Sequence, residues 1–185
     1  MKKISVMLVL LGSALGVTSS VHAANGGTLN FTGALTNTSC DVSSGGGSAD
    51  NIPVDLGRVS FADIGNRTEA RLGTAKDIDL LVTCLQPAAE STVSMSFRPA
   101  QADQGDPYLL PTAGAAKGVG IGLVRRDSDN FLNIQDPADT IDGILQPSGT
   151  GSSGTLSLRA VFVKNGVSTV PGAATGTVPF VLTYN

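Results

Sequence analysis

Histidine is nearly absent from this chain, since the one histidine among its 185 residues is His22. Without histidine elsewhere, the chain has no serine–histidine pair, no imidazole base and no ordinary zinc site. Charged residues make up 15% of the chain and aromatic residues 4%, while glycine, leucine, alanine, serine, threonine and valine are the commonest residues. This composition is typical of an exported all-β domain. We expect the chain to be no enzyme and to hold neither a metal nor a cofactor.

A long apolar run is missing as well, except at the start of the chain. There, Lys2 and Lys3 precede the run ISVMLVLLGSALGV, and Val21-His22-Ala23 is a cleavage site of the small-x-small kind. These features predict an export signal at residues 1–23, which is cleaved after Ala23. A membrane anchor is the alternative, but the run is short for spanning a bilayer and glycine interrupts it. We therefore expect no integral membrane segment in the mature chain.

Basic residues are scarce in the mature chain. Cleavage leaves 162 residues, with ten basic side chains against fifteen acidic ones and a net charge of −5. Nucleic acids and anionic membranes attract basic patches, so neither is expected as a partner. A chain of this length suffices for one domain with a sizeable core.

Cysteine occurs only twice, at Cys40 and Cys84. In an oxidising compartment such a pair is most simply a disulfide. Closing a loop of about 44 residues adds roughly 4 kcal/mol on the chain-entropy model. A metal site or a catalytic thiol is the alternative, and it lacks histidine partners.

Alternation of apolar and polar residues is the dominant pattern, and it predicts β-strands. The strands are predicted in DIDLLVTC, STVSMSF, GVGIGLV, TLSLRAVFV and TVPFVLTY. Connectors rich in glycine, proline, serine and aspartate separate them: SSGGGSAD, RPAQADQGDP, QDPADT and QPSGTGSSG. No helical period occurs outside the signal. Together these segments predict one antiparallel sandwich.

Charged clusters offer little sign of a binding site. Asp127 and Asp129 in RRDSDN resemble a loose calcium loop, and three further aspartates are similarly spaced in DPADTID. No full pattern of calcium ligands follows either group, so solvated turns are the better interpretation. The basic doublet Arg125-Arg126 is interpreted as exposed surface rather than as a binding patch.

The mature chain opens with one more alternating stretch, GGTLNFTGALT at residues 26–36. Its apolar face contains a glycine at position 33 between larger side chains. Glycine weakens a strand unless another backbone or side chain needs the space. The pattern therefore indicates a half-buried strand whose binding partner leaves no room for a side chain at position 33.

Both ends of the mature chain resemble subunits of chaperone–usher pili, especially type 1-like fimbrial pilins. Residues 25–40, NGGTLNFTGALTNTSC, resemble their N-terminal segment, in which an alternating stretch with a mid-strand glycine precedes the first cysteine. At the other end, Gly172 is fourteenth from the C-terminus and Tyr184 is penultimate, as in the C-terminal signature of that family. The resemblance covers essentially all of residues 24–185.

The resemblance implies an all-β fold: an incomplete immunoglobulin-like antiparallel sandwich that lacks its final strand. Residues 24–36 would be an N-terminal donor-strand extension, and residues 37–185 the pilin domain. In this family a periplasmic chaperone first lends the missing strand, and at the outer-membrane usher the extension of the next subunit replaces it. The expected partners are thus neighbouring pilin subunits in a head-to-tail polymer, the chaperone and the usher. The expected location is a fimbrium on the surface of a Gram-negative-type bacterium, reached through the periplasm.

The resemblance also assigns roles to residues at the two ends. The donor strand would comprise Gly27, Leu29, Phe31, Gly33 and Leu35. The acceptor groove and chaperone-anchoring site would comprise Gly172, Val178, Phe180, Leu182, Tyr184 and Asn185. Pro179 lies within the predicted last strand, where it cannot donate a ladder hydrogen bond, but it is out of phase with the core-facing residues.

Two other functions remain open on the sequence alone. The chain could be a minor adaptor or an adhesive, glycan-binding fimbrial subunit, although tip adhesins of this family usually carry a separate receptor domain and lack a donor extension. It could also be an exported hydrolase, against which the near absence of histidine argues.

Overall fold

The computed structural model describes residues 40–45, 47–48, 51–69, 72–85, 91–99, 101–104 and 106–184. The predicted signal peptide and N-terminal extension lie outside these residues. All of the described residues belong to one compact unit, Thr36–Asn185.

Nine strands and one short 3-10 helix form the regular structure of the described residues. The strands are β1 (Cys40–Ser44), β2 (Gly47–Ser48), β3 (Lys76–Cys84), β4 (Ser91–Phe97), β5 (Leu109–Pro111), β6 (Val119–Arg125), β7 (Ile141–Ser148), β8 (Gly151–Lys164) and β9 (Phe180–Tyr184). The 3-10 helix, Leu72–Thr74, precedes β3. Within these ranges no helix is long and apolar enough to cross a membrane.

The strands form two antiparallel layers that β7 joins into one curled sheet. One layer has the order β2-β1-β3-β8-β6-β5, and the other has the order β7-β4-β9. The first part of β7 pairs with β4, whereas residues 146–148 pair with β8 beside the turn that joins the two strands. The predicted all-β antiparallel fold is confirmed.

The five alternating segments predicted as strands within the described residues are confirmed, as β3, β4, β6, β8 and β9. Their inward-facing side chains meet in the main core, between the two layers. Its buried members from these strands are Ile78, Leu80, Val82, Cys84, Val93, Met95, Phe97, Ile121, Leu123, Leu156, Leu158 and Ala160. Alternation predicts these strands well because each presents one continuous face to the core.

The Cys40–Cys84 disulfide joins β1 to β3. The two residues lie directly opposite each other in the register of the two strands, with their Cα atoms 4.0 Å apart. The Cys84 side chain is buried in the main core. The predicted disulfide is therefore confirmed.

The expectation that QPSGTGSSG forms a connector was wrong. Residues 146–148 pair with residues 151–153, and Gly149 turns the chain between them with a φ of +61°. Apolar alternation is missing there because backbones approach closely where β7 changes layers. A side chain at Gly151 would overlap the carbonyl oxygen of Cys84, and one at Gly154 would overlap that of Ile144.

A second, smaller core covers the outer face of β6 and β8. Its buried members are Leu109, Val124, Val161 and Val163, and Leu72, Ala75 and Phe131 pack over them. The Phe131 ring occupies the space that a side chain at Gly122 would need. Gly120 and Gly122 of GVGIGLV thus belong to a strand, β6, that is buried on both faces.

Candidate functional site

The last strand, β9, lies at an open edge of its layer. On one side it pairs with β4, from Phe97 opposite Phe180 to Val93 opposite Tyr184. On the other side, no strand of the described ranges pairs with it. An unpaired edge presents free backbone N–H and C=O groups, which can pair with a strand from another chain.

The register of β9 shows which backbone groups face the open edge. The Arg98 amide donates to the Pro179 carbonyl at 2.8 Å, so this pair is bonded across the two strands. Bonded and non-bonded pairs alternate along an antiparallel ladder. The N–H and C=O groups of Val181 and Thr183 therefore point toward β4. Those of Phe180, Leu182 and Tyr184 point toward the open edge.

Pro179 leaves this edge intact. It immediately precedes β9, its side chain is exposed, and its nitrogen lies on the side that faces β4. The bond that proline cannot donate is thus lost from the pair with Arg98 and not from the open edge. As expected from the sequence, Pro179 is out of phase with the core-facing side chains.

The same strand leaves part of the main core in contact with water. Four alternate side chains at its start and along its length pack against the core, yet each is only half-buried: Val178, Phe180, Leu182 and Tyr184. Their neighbours on β4 are covered fully, with Val93 0% and Met95 1% exposed. We call these four side chains the β9 face. Partial burial raises the pKa of the Tyr184 phenol above its ordinary value.

A second stretch, residues 51–59, also covers the core only in part. Ile52 and Leu56 pack half-buried against the same core cluster, and Val54 between them is 41% exposed. No strand pairing extends along this stretch in the described residues beyond a single bridge at Asn51. Sequence reasoning missed it, although its apolar residues occur at every second position in NIPVDLG.

Gly172 lies away from β9, in the segment that leads to it. This segment runs beside residues 113–117, to which it is joined by bridges from Thr175 and Val170. A side chain at Gly172 would collide with Ala115 and the Ala116 nitrogen, so only glycine allows the two backbones to approach. The role in an acceptor groove that we predicted for Gly172 stays a prediction.

The remaining predicted site residues lie outside the described residues. They are the donor-strand residues Gly27, Leu29, Phe31, Gly33 and Leu35, and the C-terminal Asn185. Their roles also stay predictions.

Several residues of the charged clusters noted in the sequence form ion pairs within the protein. Arg125 pairs with Asp139 and Arg159 pairs with Asp129, whereas Arg126 lies within 3.2 Å of Asp77 and 2.7 Å of Asp79. Hydrogen bonds from Ser157 and Arg126 lower the pKa of the Asp79 carboxyl. No group of three or more metal-ligating side chains occurs in the part of the chain that the structure describes.

Comparisons with known proteins identify a family. Residues 29–185 match the family model described as fimbrial protein. The chain is 28% identical to a Salmonella typhimurium protein named fimbrial subunit type 1, over 98% of this chain and 95% of that protein. It is 27% identical to the type-1 fimbrial protein, A chain, of Escherichia coli K12, over 98% and 99% of the two chains.

A solved structure shares the fold. The P pilus rod subunit PapA aligns with a TM-score of 0.50 and 19% identity, over 79% of this chain and 99% of that one. A further relative, the probable major fimbrial subunit LpfA of Escherichia coli O157:H7, is 32% identical over 71% of each chain.

Proposed function

Because this chain belongs to the fimbrial protein family, we propose that it is a structural subunit of a surface pilus that polymerises head to tail by donor-strand exchange. The observation that carries the proposal is the open edge of β9, where free backbone groups and half-buried apolar side chains occur on the same residues. A donated strand would form hydrogen bonds to the free backbone groups and would cover the apolar side chains. The protein has a structural role and catalyses no reaction.

The β9 face and its open edge offer apolar surface and backbone hydrogen bonds that would stabilise a bound strand from another subunit. Full burial of an aliphatic or aromatic side chain contributes about 1.5–3 kcal/mol, so burying the remaining exposed part of one that is already mostly covered contributes about 0.5 kcal/mol. Val178, Phe180 and Leu182 would together supply about 1.5 kcal/mol. Each new backbone hydrogen bond along the edge adds about 1 kcal/mol.

The donor is the N-terminal extension of the next subunit, residues 24–36. Leu29, Phe31 and Leu35 lie at alternate positions of that stretch, as the alternation of the β9 face requires. Gly33 fits where the groove leaves no room for a side chain, and Gly27 continues the same face.

Before assembly, a periplasmic chaperone supplies the missing strand and an outer-membrane usher then exchanges it for the extension. The chaperone binds Tyr184 and the carboxylate of Asn185 through basic residues. Covering the edge in this way prevents the aggregation that an open apolar edge would cause. The finished fibre lies on the cell surface and supports adhesion.

Replacement of Leu29, Phe31 and Leu35 by serine tests the proposal. The variant subunit is expected to fold and to co-purify with its chaperone but to form no fibres, because its extension cannot fill the neighbouring core. A control variant carries serine at the intervening positions Thr28, Asn30 and Thr32 and is expected to form fibres. Electron microscopy of cells that carry the chaperone and usher distinguishes the two. Fibres from the first variant would disprove donor-strand exchange by this segment.

A further inference from the structure

A buried carboxylate lies away from β9, in the loop that precedes β5. Asp103 is 7% exposed, and no other acidic side chain of the described ranges is buried to this extent. Its Oδ2 accepts a hydrogen bond of 2.7 Å from the Nδ2 of Asn165. A Cβ at Gly120 would lie 2.7 Å from the same oxygen, so glycine there makes room for the carboxylate. Because a buried charge is costly without hydrogen bonds, the Asn165 amide stabilises Asp103.

Asn165 and Gly166 form the turn that follows β8. Gly166 has a φ of +84°, which residues with a side chain rarely adopt. The backbone amide of Asn165 donates to the Gly118 carbonyl at 3.2 Å, and its side-chain Oδ1 accepts from the Val167 amide at 3.2 Å. The turn thus needs glycine at position 166, and the buried carboxylate of Asp103 needs the amide at position 165.

An Asn-Gly pair is prone to deamidation in water, because glycine has no side chain to hinder the reaction. The Gly166 amide nitrogen would attack Cγ of Asn165 and form a new N–C bond. The bond from Cγ to Nδ2 would break, and Nδ2 would leave as ammonia with the proton of the Gly166 amide. Water would then open the resulting succinimide at one of its two carbonyls, which gives aspartate or isoaspartate at position 165.

The surroundings of Gly166 leave the attacking nitrogen free. Gly166 is exposed, and a Cβ built on it would have no other atom within 4 Å. Its amide donates to no group in the part of the chain that the structure describes. Neither crowding nor hydrogen bonding of the attacking nitrogen therefore prevents the reaction, so any restraint has to act on the Asn165 side chain.

Both polar atoms of the Asn165 side chain are hydrogen-bonded, Nδ2 to Asp103 and Oδ1 to Val167. Loss of Nδ2 as ammonia would leave the buried carboxylate without this donor and would place a second carboxylate beside it. From these contacts we infer that Asn165 is a deamidation site, and that Asp103 is the positioning residue that keeps it unreacted in the folded subunit. This role is separate from the assembly edge at β9.

The rate of deamidation tests the inference on the full mature chain. The chain is incubated in mildly alkaline buffer, either folded or denatured in urea, and aspartate and isoaspartate at position 165 are quantified by mass spectrometry of the tryptic peptide 165–185. The folded parent is expected to react at least about tenfold more slowly than the denatured parent. Asp103→Ala is expected to raise the rate in the folded chain about tenfold, the effect of losing one hydrogen bond to a charged group. Asp103→Asn keeps an acceptor and should give an intermediate rate.

Asp106→Ala is the control, because it removes a carboxylate from the same loop that is bonded to Arg67 and not to Asn165. It is expected to leave the rate unchanged. No deamidation in the denatured chain, equal rates in the folded and denatured parent, or equal acceleration by the Asp103 and Asp106 variants would each overturn the inference. Circular dichroism shows in each case whether the variant is folded.

An exchange of the two side chains tests their direct contact without relying on the reaction rate. Asn165→Asp, the product of deamidation, is expected to lower the melting temperature by about 5 °C. Combining it with Asp103→Asn restores a pair of one amide and one carboxylate, so most of this loss should be recovered. A single variant as stable as the parent, or no recovery in the double variant, would contradict the inference. None of these measurements needs a fibre, so their outcomes do not depend on how the subunit assembles.

Discussion

Leu182→Ala should weaken the binding of a donor strand, because that strand would complete the burial of the Leu182 side chain. Leu182 lies on the β9 face opposite Met95, which is 1% exposed, but is itself only half-buried. Truncating a fully buried leucine costs about 2–5 kcal/mol. Leu182 is already partly buried, so most of this cost applies to the subunit alone, and the rest applies once a donor strand covers the side chain. The remainder, about 1 kcal/mol, is a loss of roughly fivefold in donor affinity.

The assay measures the affinity of a synthetic peptide of residues 25–36 for a subunit that lacks residues 24–36 and has been refolded without its chaperone. Thr183→Ala is the control, because the Thr183 side chain points outward from the same strand and is exposed. We expect this control to bind the peptide as the parent does. Equal affinities for the Leu182 and Thr183 variants would refute the view that β9 presents an incomplete core.

Three further predictions concern the fold. Reduction of the Cys40–Cys84 disulfide should lower the free energy of unfolding by about 4 kcal/mol in urea titrations, and a loss below about 1 kcal/mol would contradict the chain-entropy estimate. Gly122→Val should destabilise the domain by about 1–3 kcal/mol, because the Phe131 ring fills the space that the valine side chain would need. Combining it with Phe131→Ala should lessen this overlap. Equal melting temperatures for the parent and Gly122→Val would exclude the packing of Phe131 against Gly122. Asp79 has a lowered pKa in the folded state, so its stabilising effect is present above its unfolded pKa of 3.8 and is lost as the pH falls through the lower folded value. Asp79→Asn should therefore flatten the fall in melting temperature at acid pH. An unchanged dependence of melting temperature on pH in this variant would contradict the prediction.

The strands could be predicted where one face meets the core without interruption. In β3, buried Ile78, Leu80 and Val82 alternate with exposed residues, and the sequence shows the same alternation. In β7, Ile141 and Leu145 share an inward face, but Gly143 lies between them because Leu156 occupies the space of a side chain there. Because glycine lies where an apolar residue would continue the alternation, the hydropathy pattern did not predict this strand.

The candidate site was predictable in part. The alternation of the last strand gave the members of the β9 face, and the structure adds that they are half-buried. The register of β9 with β4 decides which backbone groups face the open edge and places the Pro179 nitrogen on the side of β4. This register cannot be predicted from the residues of β9 alone.

Amide hydrogen exchange along β9 tests donor-strand pairing at the level of single residues. It is measured by NMR on the subunit lacking residues 24–36, before and after addition of the peptide of residues 25–36. The amides of Phe180, Leu182 and Tyr184 should become protected on addition of the peptide, whereas those of Val181 and Thr183 are already bonded to β4 and should change little. Unchanged exchange at Phe180, Leu182 and Tyr184 in the presence of bound peptide would contradict the proposal that a donated strand completes this edge.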